Sequence, residues 1–181
     1  MKTFQTLGLL AILVVLFSGC DKYNEKRFST TIIYAFEVDI HDGESAVVDL
    51  DGQITSMVNS ELEKVKDDIK KYELVSIDYQ VFEFWGATPN TFTGTIGFGN
   101  ANSINPGVNY GITGLDLEAQ AVSSPHNKLN FNSMDISTIE QYFKDTNGLR
   151  IYLNGDAEQV PVHFKMQFSV NVDAIADVKK K

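Results

Sequence analysis

The stretch from Val160 to Val172 leaves this chain little freedom of fold. Val160, Val162, Phe164, Met166, Phe168, Val170 and Val172 alternate with His163, Lys165, Gln167, Ser169 and Asn171. Only an extended strand puts every second side chain on one face, so one face of this stretch must cover a core while the other meets polar surroundings. Thr30–Ile40 repeats the pattern, with Ile32, Tyr34, Phe36, Val38 and Ile40 on one face. Pro161, close to the start of the last strand, suits a strand beginning or an edge, because proline cannot donate to a ladder.

Between these two strands the chain reads as short elements punctuated by glycine and asparagine. Asp42-Gly43 predicts a turn and Ser45–Leu50 a strand. Asp51-Gly52 then breaks the strand and offers Asp51 as a helix N-cap. Ile54, Met57, Val58, Leu62, Val65, Ile69 and Tyr72 recur at three- and four-residue steps, which predicts an amphipathic helix over about 53–72. Leu74–Trp85 returns to alternation, with a bulge or turn expected where Phe82, Phe84 and Trp85 break the order. Thr91–Phe98 and Val108–Ile112 predict further strands, separated by a Gly/Asn-rich loop over Gly99–Gly107. Gly114–Val122 and a turn around Pro125 follow. A second helix is expected over about 135–144 on Ile136, Ile139, Tyr142 and Phe143. After Asn147-Gly148 come a strand, Leu149–Leu153, and a turn at Asn154-Gly155. Many alternating strands without a strand–helix–strand rhythm imply a mostly β, antiparallel sandwich carrying two helices. With no internal repeat and no linker, residues 28–178 read as one domain, with a basic tail over Lys179–Lys181.

The N-terminal end carries an address. Lys2 precedes a continuous apolar run, Leu7–Phe17, then Ser18, Gly19 and the only cysteine, Cys20. The run suits a secretion signal core of about 7–15 residues and is too short for the ~20 needed to span a bilayer. LFSGC resembles the lipobox of bacterial lipoproteins, although Phe17 stands where leucine is usual. That resemblance implies removal of residues 1–19, acylation of Cys20, and attachment to a cell-envelope membrane through its acyl chains, stable because more than one chain is used. A plain signal peptide and a retained anchor helix are the weaker alternatives. Asp21 favours inner-membrane retention under enterobacterial sorting, but other lineages sort differently and the membrane stays open. Asp21–Arg27 is polar and without period, and reads as a tether reaching roughly 25 Å.

Three further segments, VSIDYQVFEFWG, TFTGTIGFG and VPVHFKMQFSVNVDA, give the chain a resemblance to uncharacterised sandwich lipoproteins of Bacteroidetes-type bacteria. The resemblance implies an immunoglobulin-like β-sandwich and brings no functional motif.

Charge and cysteine usage narrow the function. The net charge of −9 becomes −10 once Lys2 leaves with the signal. Such an acidic domain is unsuited to nucleic acid, which is bound by neutralising phosphates. With Cys20 acylated, cysteine catalysis, disulfides and cysteine-ligated metals are excluded, and no cofactor is implied.

No catalytic constellation stands out. Gly94, Gly97 and Gly99 lack the spacing and the strand-to-helix context of a phosphate loop. His41, His126 and His163 are scattered, and read as surface histidines. Asp39, Asp42 and Glu44, with Asp49 and Asp51, are a weak calcium candidate that matches no EF-hand loop. Phe84 and Trp85, with Tyr79 and Phe82, form the densest aromatic group. Exposed, they would stack on a sugar or apolar ligand; inward, they are core. The expected function is a lipid-anchored, non-enzymatic binding or assembly module with an envelope protein or glycan as partner. The alternatives are an envelope hydrolase or carbohydrate-active enzyme, marked by two carboxylates ~5–9.5 Å apart, and a carrier with an apolar hollow beside Phe36, Met57 and Leu62.

Overall fold

A computed structural model describes residues 23–55 and 60–179. Cys20 and the Leu7–Phe17 run lie outside them. Eight strands run in chain order: β1 (Tyr23–Ile40), β2 (Val47–Thr55), β3 (Ile69–Gly86), β4 (Thr91–Asn100), β5 (Val108–Asp116), β6 (Asn127–Lys128), β7 (Gly148–Ala157) and β8 (Val162–Lys179). Three helices join them: α1 (Ser60–Glu63), α2 (Leu117–Ser123) and α3 (Ser133–Thr146), with a 3₁₀ turn at Lys66–Asp68. None of these helices is long and apolar enough to cross a membrane.

The strands form two four-stranded sheets, ordered β1-β8-β3-β6 and β2-β7-β4-β5. Every pairing is antiparallel, and β1 pairs with β8, β2 with β7, β3 with β6 and β4 with β5. The chain is thus one long hairpin folded over on itself, closed by the added pairings β8·β3 and β7·β4. The antiparallel sandwich expected from the alternation is present. Its connectivity refines the immunoglobulin-like expectation: eight strands in this nested order make a jelly roll, whereas an immunoglobulin domain groups its strands ABED and CFG.

The core fills the space between the sheets. Ile32, Phe36, Val38 and Ile40 of β1 meet Val162, Phe164, Met166, Phe168, Val170 and Val172 of β8, as the alternation requires. Phe36 packs edge-on to Phe168, with ring centres 5.8 Å apart. The helix α3 begins at the N-cap Asn132, whose side chain accepts from the backbone of Met134 and Asp135. It buries Ile139 and Phe143, and so realises the helix expected over 135–144.

The helix expected over 53–72 is not formed. Ile54 lies in β2 opposite Leu149, and the helical turn at Ser60–Glu63 is short. Ile69 and Tyr72 belong to β3; Met57 and Val58 lie outside the described residues. For the end of that stretch the cause is visible in the β3·β8 register, which slips at Ile69/Lys71, Leu74/Ser76 and Val81/Glu83. Each slip inserts one residue, so the inward side chains of β3 fall at Ile69, Tyr72, Leu74 and Ile77. The three-residue step from Ile69 to Tyr72, the last of the expected helix, mimics a helical period.

Three more boundaries move: β7 runs through Asn154-Gly155, expected as a turn, with Gly155 opposite both Val48 and Gly94. β2 runs straight through Asp51-Gly52, expected as a break, and Gly52 pairs with Ile151. The glycine is there for Tyr34, whose hydroxyl would lie only 1.9 Å from a Cβ at this position. Tyr23–Arg27, expected as tether, is the first part of β1, with Tyr23 opposite Lys179. Pairing with β8 organises a segment that has no apolar period of its own.

Candidate functional site

The outer face of the β1·β8·β3 sheet carries the polar half of each alternating strand. At the Ile40 end of β1, register brings Asp39, His163 and Trp85 into one cross-strand row, and Glu37, Lys165 and Glu83 into the next. Phe84 and Trp85, as neighbours in a strand, face opposite sides; the bulge at Phe82 decides that Phe84, and not Glu83, takes the inner one. Phe84 packs inward against the core, while Trp85 points outward and stays 48% exposed. The sequence-predicted pair is therefore split: one residue is core, the other surface.

Trp85 lies flat over His163, with ring centres 4.9 Å apart and planes 9° from parallel. This cover leaves His163 only 5% exposed, although it projects from the outer face. The surface histidine expected from sequence is buried, because its lid comes from a strand distant in the chain. Neither ring nitrogen has a hydrogen-bond partner among the described residues. Glu83 Oε1 lies 3.3 Å from Nε2 without completing a hydrogen bond, and Glu37 and Asp39 stand 3.9 and 3.8 Å away.

Lys165 Nζ bridges the two flanking carboxylates, at 3.0 Å from Glu83 and 3.6 Å from Glu37. The hydrogen bond from Lys165 holds the Glu83 carboxyl below its ordinary range, with the lysine charge and His163 adding to it. The same bond raises Lys165. Both carboxylates stand on an open face and share one lysine cation. A glycosidase acid needs the reverse, a carboxyl held protonated by burial.

Gly86 ends β3 with φ +141, a backbone angle that side chains disfavour. A Cβ there would stand 2.3 Å from the Pro161 carbonyl oxygen, which also accepts from Ala87 N at 2.9 Å. This close approach fixes the strand end that presents Trp85. Beside the indole, α2 packs along β3, started by Asp116, whose side chain accepts from Ala119 N. Between them lies an open cleft of about 590 Å³, lined by Phe82, Trp85, Thr88, Glu118 and Val122 among others.

The remaining sequence candidates are dispersed. His41 and His126 are exposed. The side chain of Glu44 accepts from the backbone of His41, closing its own turn, and Asp51 faces Arg150 at 3.3 Å. Among the described residues, no group of three His, Asp or Glu side chains is arranged to hold a metal ion. Phe36 and Leu62, named for an apolar hollow, are buried within the packed core. Farther along the same outer face, Thr31, Asn171, Ser76 and Asp78 form a hydrogen-bonded ladder. Beyond it, Arg27 pairs with Asp173 and Glu73, both at 2.7 Å.

No protein-family model matches the chain, and none of the curated proteins is significantly similar to it in sequence. Among solved structures it is similar to one of tobacco necrosis virus, at 14% identity and TM-score 0.38, covering 86% of this chain and 98% of that one. A structure of mud crab tombus-like virus is similar at 9% identity and TM-score 0.37, covering 94% and 100%. Desmodium yellow mottle tymovirus gives 13% identity and TM-score 0.33, covering 85% of each chain. Likenesses this distant say nothing of what this chain does.

Proposed function

We propose that this chain is a lipid-anchored cell-envelope protein acting as a non-enzymatic binding or assembly module, with Trp85 as its principal contact residue. The anchor rests on LFSGC and the apolar run before it, with Cys20 as the acylated residue. The observation that carries the binding reading is the Trp85–His163 stack. A large indole held half exposed by a buried ring beneath it loses little freedom on meeting a ligand, so contact with its open side costs little entropy. The carboxylates beside it, sharing one lysine cation, support recognition over acid–base catalysis.

Two comparisons test the reading. Cys20→Ala should move the protein from the membrane fraction to the soluble one; retention in membranes would refute the anchor. Recovery of the full chain from its own membranes in mild detergent, wild type against Trp85→Ala, tests the contact residue. A partner that co-purifies with the wild type and is lost from an equally stable Trp85→Ala chain is the expected result. A partner set unchanged by the substitution removes Trp85 from the contact surface.

A further inference from the structure

We infer that the Trp85 cleft takes the arginine side chain of a basic peptide segment on a protein partner, its guanidinium laid on the open face of the indole. This rests on the binding-module reading above and names the chemistry of its ligand. Three observations converge on a cation. The charged groups lining the cleft are both carboxylates, Glu83 and Glu118. Glu118, exposed in the first turn of α2, has no ion-pair partner among the described residues, whereas Glu83 is already bridged by Lys165. And the aromatic ring that lines the cleft with them is an indole, the side chain whose face attracts cations best.

The shape of the charge favours arginine in particular. A planar guanidinium stacks on an aromatic face while its N–H fork reaches a carboxylate at the side, which a compact ammonium does less well. The chain as a whole, at −9, draws basic segments and repels anionic glycans and phosphates. A neutral glycan could also stack on Trp85. The cleft, however, offers few side-chain donors for sugar oxygens, Thr88 and the indole N–H being those lining it.

Trp85 is the only tryptophan, so the site reports on itself. The experiment titrates the full chain, in detergent micelles at low salt, with a blocked Ala-Arg-Ala-Arg-Ala peptide, and reads indole emission. The comparison peptide carries citrulline in place of arginine, which keeps the planar shape and removes the charge. The expected result is a saturable change for the arginine peptide, binding about tenfold weaker for the citrulline peptide, and loss of most of that difference in Glu118→Gln. Added salt should weaken the arginine peptide and leave the citrulline peptide unchanged. Equal binding of the two peptides, or an unchanged preference in Glu118→Gln, overturns the assignment. A neutral oligosaccharide that saturates the emission change where the arginine peptide does not would overturn the arginine assignment and leave Trp85 as a binding residue. If neither probe moves the emission and Trp85→Ala keeps every membrane partner, both readings fall.

Discussion

Replacing His163 with leucine should make this protein more stable. The imidazole is 5% exposed and neither of its nitrogens is hydrogen-bonded among the described residues. A buried polar atom left unmatched costs roughly 1–3 kcal/mol, and leucine brings similar bulk without polar atoms. Against this gain stands the ring stack with Trp85, 4.9 Å between centres, an arrangement worth about 0.5–1.5 kcal/mol. The three surrounding carboxylates are 43–59% exposed in their side chains, so their attraction for the ring is screened and small. The midpoints leave a gain of roughly 1 kcal/mol, or about 2–4 °C in melting temperature for a domain of this size. Thermal unfolding followed by circular dichroism in neutral buffer measures it, with His163→Asn as the control that keeps buried polar atoms and should gain nothing. If His163→Leu instead loses about 1 kcal/mol or more, the imidazole has a partner, such as a bridging water, and the reasoning from unmatched nitrogens is wrong. A gain would identify His163 as a residue kept at a cost in stability, as expected beneath a binding platform.

Other substitutions probe the frame around the site. Phe168→Ala, fully buried and edge-on to Phe36, should cost about 3–5 kcal/mol in urea unfolding; a loss under about 1 kcal/mol would mean that the core closes over the gap. Gly86→Ala must take φ +141 and push Cβ toward the Pro161 carbonyl. It should lower stability by about 2 kcal/mol or more and shift indole emission; an unmoved spectrum would show that this turn does not set Trp85. In acid, the hydrogen bond from Ser29 and the Arg27 guanidinium hold the Asp173 carboxyl below its ordinary range, and Lys71 and Arg27 do the same for Glu73. Lowered carboxyl values contribute stability that is complete above the ordinary range near pH 4 and is lost as pH falls through the depressed native values. Arg27→Ala should therefore be less stable than wild type at neutral pH and lose less on acidification; parallel acid-unfolding curves would contradict the assignment.

Which face each long strand turns inward was legible from the alternation in β1 and β8, because a period of two states directly which side chains share a side. Partner strands were not legible. Nothing local to Tyr23–Arg27 says that it meets the last residues of β8, and those long-range pairings are what convert a generic sandwich into this nested order. The end of the misread helix has a definite cause: the bulge after Ile69 set the inward residues Ile69 and Tyr72 three apart, and periodicity cannot separate that from a helical turn. At the site, the bulge at Phe82 was visible as a break in the pattern, and Trp85 was singled out with Phe84. His163 was passed over because its burial is made by Trp85 across a β3·β8 pairing. A histidine opposite an apolar face in a strand that also carries Lys165 gives no sign of that cover. Glu118 was missed for a similar reason, since the short helix α2 that carries it has its clearest signal in a single capping residue, Asp116.

The unbroken β1·β8 ladder also sets a height. β1 pairs with β8 from Tyr23 to Ile40 without a slip, and at about 3.3 Å per residue the Asp39–His163–Trp85 row stands on the order of 50 Å along the strand from Tyr23. Cys20 precedes Tyr23 by three residues. Under the proposed lipidation of Cys20, Trp85 would lie near the end of the sheet opposite the anchor. Deleting matched pairs of residues from β1, β3 and β8 would shorten the span like a ruler cut at its foot, by about 7 Å for every two residues removed from each strand.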